Sequence, residues 1–197
     1  MEKHVLGLEL PTDPRWSGIA KKNIHEILID HAYCEQKAAS SCISLIIQYP
    51  EKEKLVTVLT PVVAEEWNHF ERVLTELRKR RLWLGPHRKD DYVEALQKII
   101  RKGGSREQQL VEKLLLNALI EARSCERFRL LWMEINDQSL SQFYHELMIS
   151  EAGHYKTFLS LAKEFADPKK VESRWREFLS EESEIIKTLT LRGDRLH

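Results

Sequence analysis

The sequence contains little cysteine, glycine or proline, and each shortage excludes a class of protein. The three cysteines, Cys34, Cys42 and Cys125, form no Cys-x-x-Cys pair. This argues against a structural zinc site, an iron–sulfur cluster and a rubredoxin-like electron-transfer module. Seven glycines, six prolines and the lack of an extended apolar–polar alternation favour helix over strand. We therefore predict an all-α protein whose cysteines are reduced packing residues.

Long apolar runs and a net charge are also absent. No uninterrupted apolar stretch approaches the roughly 18 residues of a membrane span, and the first residues lack a signal-peptide pattern. Lys and Arg total 31, as do Asp and Glu, so no general attraction to nucleic acid follows from charge. No Pro/Ser-rich linker divides the 197 residues. We expect one cytoplasmic domain over residues 1–197 that does not contact a membrane.

Apolar periodicity and helix-end signals predict four long helices, with a long crossover between the second and third and an extra C-terminal helix. Pro61 is expected as a local bend inside the second helix. Ser105 with Gln108 forms a capping-box pattern before the third helix, and Ser139 or Ser141 is expected to begin the fourth. The predicted spans are about 17–49, 53–80, 105–136 and 139–167 for the long helices, 91–101 within the crossover 81–104, and 168–191 for the last helix.

Two Glu-x-x-His steps stand out: Glu66 to His69 and Glu151 to His154. One such step is weak evidence, because a chain of this composition contains roughly one by chance. Both steps, however, fall on apolar stripes of predicted helices, so that all four side chains point toward a core. Burying an unpaired carboxylate in an apolar core costs roughly several kcal/mol of folding free energy, because the charge loses its hydration. A bound metal ion would remove that cost.

A single glutamate on an apolar helix face precedes each step. Glu35 lies 31 residues before the first Glu-x-x-His, and Glu121 lies 30 residues before the second. Glu126, the alternative to Glu121, is rotated away from the apolar stripe and is interpreted as a solvated charge. His31, one turn before Glu35, is interpreted either as a partner of that glutamate or as a buried histidine with local hydrogen bonds. The nearly equal spacings indicate one helical hairpin used twice.

Four carboxylates and two imidazoles are the ligand set of a carboxylate-bridged metal pair in a four-helix bundle. These donors suit iron or manganese, and we favour iron. Four negative charges would balance two divalent ions and leave coordination positions for dioxygen. The alternative is a bundle whose polar core residues pair with one another. The predicted ligands are Glu35, Glu66, His69, Glu121, Glu151 and His154.

Basic residues concentrate at the end of the second helix and in the crossover. Trp83 lies among them, and an aromatic side chain among cations can stack on an unpaired base. Charges near helix ends also commonly do no more than cap the helix and interact with water. The candidate nucleic-acid contacts are Arg80, Arg81, Arg88, Lys89, Arg101 and Lys102.

Five segments together resemble the bacterial tRNA hydroxylase family MiaE: LPTDPRW, LIDHAYCEQKAA, EEWNHFERVL, IEARSCERF and SEAGHYKTFLSLA. The resemblance implies a ferritin-like, non-haem di-iron monooxygenase that uses the six residues above as ligands. It also implies hydroxylation of the isopentenyl group of methylthio-isopentenyladenosine beside the tRNA anticodon. Dioxygen would be the co-substrate, and a separate reductase or ferredoxin-type protein would supply electrons.

Two other functions fit the same ligand types. A ferritin-like iron-storage or ferroxidase protein would use them to turn over iron itself, and cage assembly with mineralisation would reveal it. A di-iron oxygenase acting on a small lipid or quinone would differ only in substrate. We expect a monomer that binds the anticodon loop of tRNA carrying prenylated adenosine.

Overall fold

The computed structural model describes residues 5–87 and 89–197, and regular structure in this part of the chain is entirely helical. A short 3₁₀ turn at Val5–Gly7 precedes seven α-helices. None of the described helices has the length and apolar content needed to cross a lipid bilayer. The helices are α1 (Arg15–Lys22), α2 (Ile24–Gln48), α3 (Glu53–Lys79), α4 (Asp91–Ile99), α5 (Arg106–Glu134), α6 (Gln138–Phe165) and α7 (Pro168–Thr188).

The described residues form two compact units, each built on one helical hairpin. The α2–α3 unit comprises residues 18–87, 89 and 192–196, and α2 packs along α3 within it. The α5–α6 unit comprises residues 5–17, 90–191 and 197. Within it, α5 packs along α6. Helix α7 contacts both α5 and α6, and α4 contacts α5 and α7. The prediction of two hairpins, a crossover helix and a terminal helix is confirmed.

The α2–α3 hairpin is held by apolar side chains spaced three and four residues apart on each helix, the period of one buried helix face. A four-residue connection between α2 and α3 makes the two helices antiparallel neighbours. Pro61 is exposed, and α3 continues through it as predicted. The buried apolar residues of the two helices are Ile27, Leu28, Ala32, Tyr33, Ala39, Cys42, Leu45, Leu55, Leu59, Val62, Phe70, Val73 and Leu77.

The prediction of one continuous first helix is wrong, because the chain breaks at Asn23. The backbone of Asn23 has φ −120° and ψ 34°, outside the helical region, and its side-chain amide donates to the carbonyl of Ile19 at 2.9 Å. A Cβ at Gly193 would lie 2.4 Å from Ile19 and 2.9 Å from the Asn23 amide. The end of the chain therefore packs tightly against this break, which local periodicity does not predict.

Side-chain caps begin the three long helices of the α5–α6 unit. Ser105 and Gln108 form the predicted reciprocal capping box at the start of α5. The start of α6 corrects the sequence prediction, since the Asp137 carboxylate, rather than Ser139 or Ser141, accepts the capping hydrogen bond. Asp167 caps α7 before Pro168, which is tolerated at the first position of a helix because its missing N–H has no intrahelical partner there.

A buried ion-pair network corrects the interpretation of Glu126 as a solvated charge. The Glu126 side chain is only 7% exposed, its carboxylate accepts from the Thr12 hydroxyl at 2.6 Å, and it forms an ion pair with Arg123. Arg123 also donates to Glu182 of α7 at 2.6 Å, and the Tyr92 hydroxyl donates to the same oxygen of Glu182 at 3.1 Å. The network ties the N-terminal segment and α7 to α5.

Candidate metal centre

Three predicted ligands converge inside the α2–α3 unit: Glu35 of α2, and Glu66 and His69 of α3. Each offers one ligand atom, and these atoms lie within 4.8 Å of one another. Nδ1 of His69 is 3.5 Å from Oε2 of Glu35 and 3.7 Å from Oε2 of Glu66. All three side chains are buried. A separation of three residues puts Glu66 and His69 on one face of α3, which is why the hairpin buries both.

His31 is hydrogen-bonded to one of these ligands. Its Nε2 lies 2.6 Å from Oε1 of Glu35, and the two residues are one turn apart on α2. A metal ligand must be deprotonated, and a Glu35 carboxylate in that state can only accept, so the imidazole N–H is then the donor. The two oxygens of Glu35 therefore have different neighbours, since Oε1 accepts from His31 while Oε2 lies toward His69. Of the two sequence interpretations of His31, the structure supports the partner of Glu35.

The other three predicted ligands converge inside the α5–α6 unit. Glu121 of α5 and Glu151 and His154 of α6 place one ligand atom each within 4.8 Å of the others. Nδ1 of His154 is 3.6 Å from Oε2 of Glu151, and all three side chains are buried. The two units thus repeat one pattern, a glutamate on the first helix of a hairpin and Glu-x-x-His on the second.

The donor chemistry of each set fits a transition-metal ion. Carboxylate oxygen and imidazole nitrogen are hard-to-borderline donors of the kind that iron accepts. Two buried carboxylates beside one imidazole would be strongly destabilising without a compensating cation. The two carboxylate and histidine clusters are therefore consistent with iron binding.

Two cysteines near these clusters are not arranged as ligands. Burial, followed by the charge of Glu66, raises the pKa of Cys42 to about 12. Burial, followed by the charge of Glu151, raises the pKa of Cys125 to about 12. The Cys125 thiol donates to the carbonyl of Met148 at 3.4 Å. Both thiols are therefore neutral in the metal-free protein, and neither belongs to the groups of donor atoms that converge in the two sets.

The candidate nucleic-acid contacts divide between the units. Arg80, Arg81 and Lys89 belong to the α2–α3 unit, where Arg81 and Lys89 are exposed and Arg80 is ion-paired with Glu76 at 2.6 Å. In the α5–α6 unit, Lys102 is exposed, and the exposed Arg101 pairs with Glu177 at 2.5 Å. The sixth candidate, Arg88, lies outside the described residues.

The family model described as tRNA-(MS[2]IO[6]A)-hydroxylase (MiaE) matches residues 2–197, which is almost the whole chain. The chain belongs to the MiaE family. The family prediction made from five sequence segments is confirmed.

Two curated relatives of this MiaE chain are named tRNA 2-(methylsulfanyl)-N(6)-isopentenyladenosine(37) hydroxylase. The Pseudomonas putida protein is 38% identical over 160 residues, which are 81% of this chain and 77% of the relative. The Salmonella typhimurium protein is 26% identical over 91% of this chain and 83% of its own length.

A solved structure is similar over nearly the whole MiaE chain. It is described as protein 43 with aldehyde deformylating oxygenase activity from Synechococcus, with a TM-score of 0.90 and 32% identity over 96% of this chain and 94% of that one. This similarity confirms the predicted fold class, an all-α protein of the ferritin-like type with a crossover and an additional C-terminal helix.

Proposed function

We propose that this MiaE-family protein hydroxylates the isopentenyl group of methylthio-isopentenyladenosine in tRNA. Membership of a tRNA-hydroxylase family supports the substrate. The repeated pattern of one glutamate and one Glu-x-x-His in each hairpin carries the oxygenase chemistry, because it supplies buried oxygen and nitrogen donors in two matched sets.

The resident cofactor in this proposal is a pair of iron ions. Each hairpin would contribute two carboxylates and one imidazole, and the four carboxylate charges would balance two divalent cations. The burial of every donor supports this assignment, since the charges would otherwise be desolvated without compensation. The proposed ligands are Glu35, Glu66, His69, Glu121, Glu151 and His154.

When bound, the iron pair supplies the reductive activation of dioxygen and the insertion of one oxygen atom into a C–H bond of the prenyl group. One oxygen atom forms the new C–O–H group, and the other leaves as water. Two electrons and two protons are needed for this balance, and we propose that a reductase or ferredoxin-type protein supplies the electrons.

The chain's own side chains hold the donors in place and exclude water. Glu66 is fully buried, and the other five donors are no more than 5% exposed. His31 fixes one oxygen of Glu35 and leaves the other available to a cation. The protonated thiols of Cys42 and Cys125 add apolar surface around the donors without adding charge. Such enclosure limits side reactions of an oxidising centre.

The tRNA would be held by basic side chains in both units. Phosphate contacts need exposed cations, and Arg81, Lys89 and Lys102 are exposed. We therefore propose Arg81, Lys89, Lys102 and the exposed Arg101 as contacts, together with Arg80 and Arg88 from the sequence alone. Each contact should steepen the loss of tRNA affinity with salt.

The domain organisation, oligomeric state and location complete the proposal. We propose that the chain acts as a single domain and as a monomer, and that it works in the cytoplasm, where its tRNA substrate is found. The prenylated adenosine would leave the stack of the anticodon loop to reach the centre, which costs less in an unpaired loop than in a duplex.

A direct assay distinguishes this proposal from its alternatives. Iron-loaded, reduced protein would be incubated with isotopically labelled dioxygen, an electron donor and tRNA that carries the unhydroxylated nucleoside. We expect nucleoside mass spectrometry to show one labelled oxygen atom in the prenylated adenosine. A parallel incubation with an aldehyde tests the activity named for the Synechococcus protein, and size measurement with iron loading tests cage assembly. An unlabelled nucleoside with a converted aldehyde or a mineralised cage would refute the proposal.

A further inference from the structure

The C-terminal end of α3 and the loop after it contain an exposed tryptophan among cations. Trp83 is 81% exposed, the highest value among the large apolar side chains exposed in the described residues. Residues 77–89 contain six Arg and Lys and no Asp or Glu. The nearest preceding acid, Glu76, is ion-paired with Lys79 and Arg80 at 2.5 and 2.6 Å. The segment therefore carries an excess of positive over negative charge beside an aromatic face.

The loop that carries Trp83 is anchored at several points within the α2–α3 unit. The hydroxyl of the buried Tyr33 donates to the carbonyl of Gly85 at 2.5 Å, and its ring meets the ring of His87 edge-on at 5.1 Å. The guanidinium of Arg195 donates to the carbonyl of Lys89 at 3.1 Å. An indole held on an anchored loop loses less conformational entropy on binding than one on a free chain.

Arg81 occupies a backbone position that favours glycine. It has φ 57°, and the amides of Arg81 and Leu82 donate to the carbonyls of Arg78 and Leu77, which is the Schellman arrangement that ends α3. Glycine is the usual residue at this left-handed position, and a side chain there is destabilising by comparison. An exposed arginine at such a site adds charge at a cost in stability, which points to a role for the guanidinium outside folding.

From these observations we propose that Arg78, Arg81, Trp83 and Lys89 form an RNA-binding surface, in which Trp83 stacks on an unpaired base and the cations bind neighbouring phosphates. This inference rests on the proposed tRNA substrate. Unpaired nucleic acid fits the surface because base stacking needs an accessible aromatic face and the backbone needs cations, and both are present within a few residues. We call it the Trp83 surface.

Two substitutions separate stacking from charge. Trp83→Leu retains apolar volume but removes the aromatic face, and Trp83→Phe restores a ring. We expect Trp83→Leu to weaken binding of an anticodon stem–loop hairpin by about tenfold at unchanged salt dependence, and Trp83→Phe to recover most of the loss. Ile47→Ala, at an apolar residue of α2 that is 71% exposed, is the matched control and should bind as the wild type does.

Arg81→Gly removes the cation and places at the end of α3 the residue that adopts the left-handed backbone conformation without strain. We expect an unfolding midpoint no lower than that of the wild type, a weaker hairpin affinity, and a salt slope smaller in magnitude by about 0.7, the value for one phosphate contact to a single strand. Lys54→Ala, an exposed lysine in the first turn of the same helix, controls for the loss of one charge.

Hairpin affinity that is equal in wild type, Trp83→Leu and Arg81→Gly would overturn the Trp83 surface. Equal loss of affinity for the hairpin and for a fully paired duplex of its stem would also overturn it, because no unpaired base would then be involved. Failure of the proposed function is distinct: the wild-type protein would bind the hairpin with dependence on Trp83 yet would not hydroxylate the modified tRNA.

Discussion

Nε2 of His31 and Oε1 of Glu35 are 2.6 Å apart, one turn from each other on α2, and both side chains are buried. The hydrogen bond restricts the rotation of a carboxylate whose second oxygen lies 3.5 Å from Nδ1 of His69. Outer partners of this kind orient a metal ligand and alter its basicity. His31 is therefore a positioning residue in the proposed iron centre.

Replacing His31 with leucine should weaken metal binding without removing a ligand. Loss of an outer hydrogen bond typically costs 10- to 100-fold in metal affinity, and we expect a loss of about tenfold or more in a Co²⁺ titration followed by absorption. His31→Gln keeps an N–H donor on a side chain of similar reach and should recover most of the affinity. Equal affinities of wild type and His31→Leu, with equal helix content by circular dichroism, would show that the hydrogen bond has no role in binding.

Each histidine of the proposed centre is the only nitrogen donor of its set. We expect His69→Ala and His154→Ala each to lose about half or more of the bound iron, since a set reduced to two carboxylates binds metal weakly. His145→Ala, on the same helix as His154, is the matched control and should keep its iron. Metal analysis of the purified variants measures the difference, and full iron in either ligand variant would contradict its assignment.

The long helices, and the burial of the six proposed ligands on them, could be predicted because both depend on the local spacing of residues. Glu66 and His69 are three residues apart, so one helix turn determines that they share a face, and the apolar residues around them determine that the face is buried. The same reasoning separates Glu66 from its exposed neighbour Glu65. Ligation itself stays a prediction, because spacing determines only which side chains point inward.

The environment of Glu126 could not be predicted, because its partners are distant in sequence. Thr12 lies 114 residues before Glu126, and Glu182, which shares Arg123 with it, lies 59 residues after that arginine. Helical periodicity places Glu126 off the apolar stripe of α5, but it carries no information about what packs on that side. The break at Asn23 escaped prediction for the same reason, since Gly193 packs against it from the end of the chain.

Truncating Glu182 should lower the free energy of unfolding substantially. Glu182→Ala leaves the fully buried Arg123 without its α7 partner and removes the acceptor of Tyr92, and breaking a buried ion pair costs about 3 kcal/mol or more. Glu184→Ala is the matched control, since Glu184 lies on the same helix and pairs with Lys187 at 2.6 Å on the surface. Its loss should lower the free energy of unfolding by less than about 0.5 kcal/mol. Urea unfolding of the two variants measures both. Similar small losses would mean that the buried network adds little stability.

The ion pairs of Glu76 should make the free energy of unfolding depend on pH in the acidic range, at and below the ordinary pKa of a glutamate. Burial would raise the pKa of Glu76, but the hydrogen bonds and charges of Lys79 and Arg80 outweigh burial and lower it. A carboxyl group with a lower pKa in the folded state stabilises the protein above its unfolded pKa of 4.5, and this contribution is lost as pH falls through the folded value.

The variant Glu76→Gln has no such titration. We therefore expect the stability difference between wild type and Glu76→Gln, measured by urea unfolding at about pH 6 and about pH 4, to shrink at the lower pH. Other carboxylates titrate in both proteins and cancel in the comparison, so a difference independent of pH would contradict the lowered pKa.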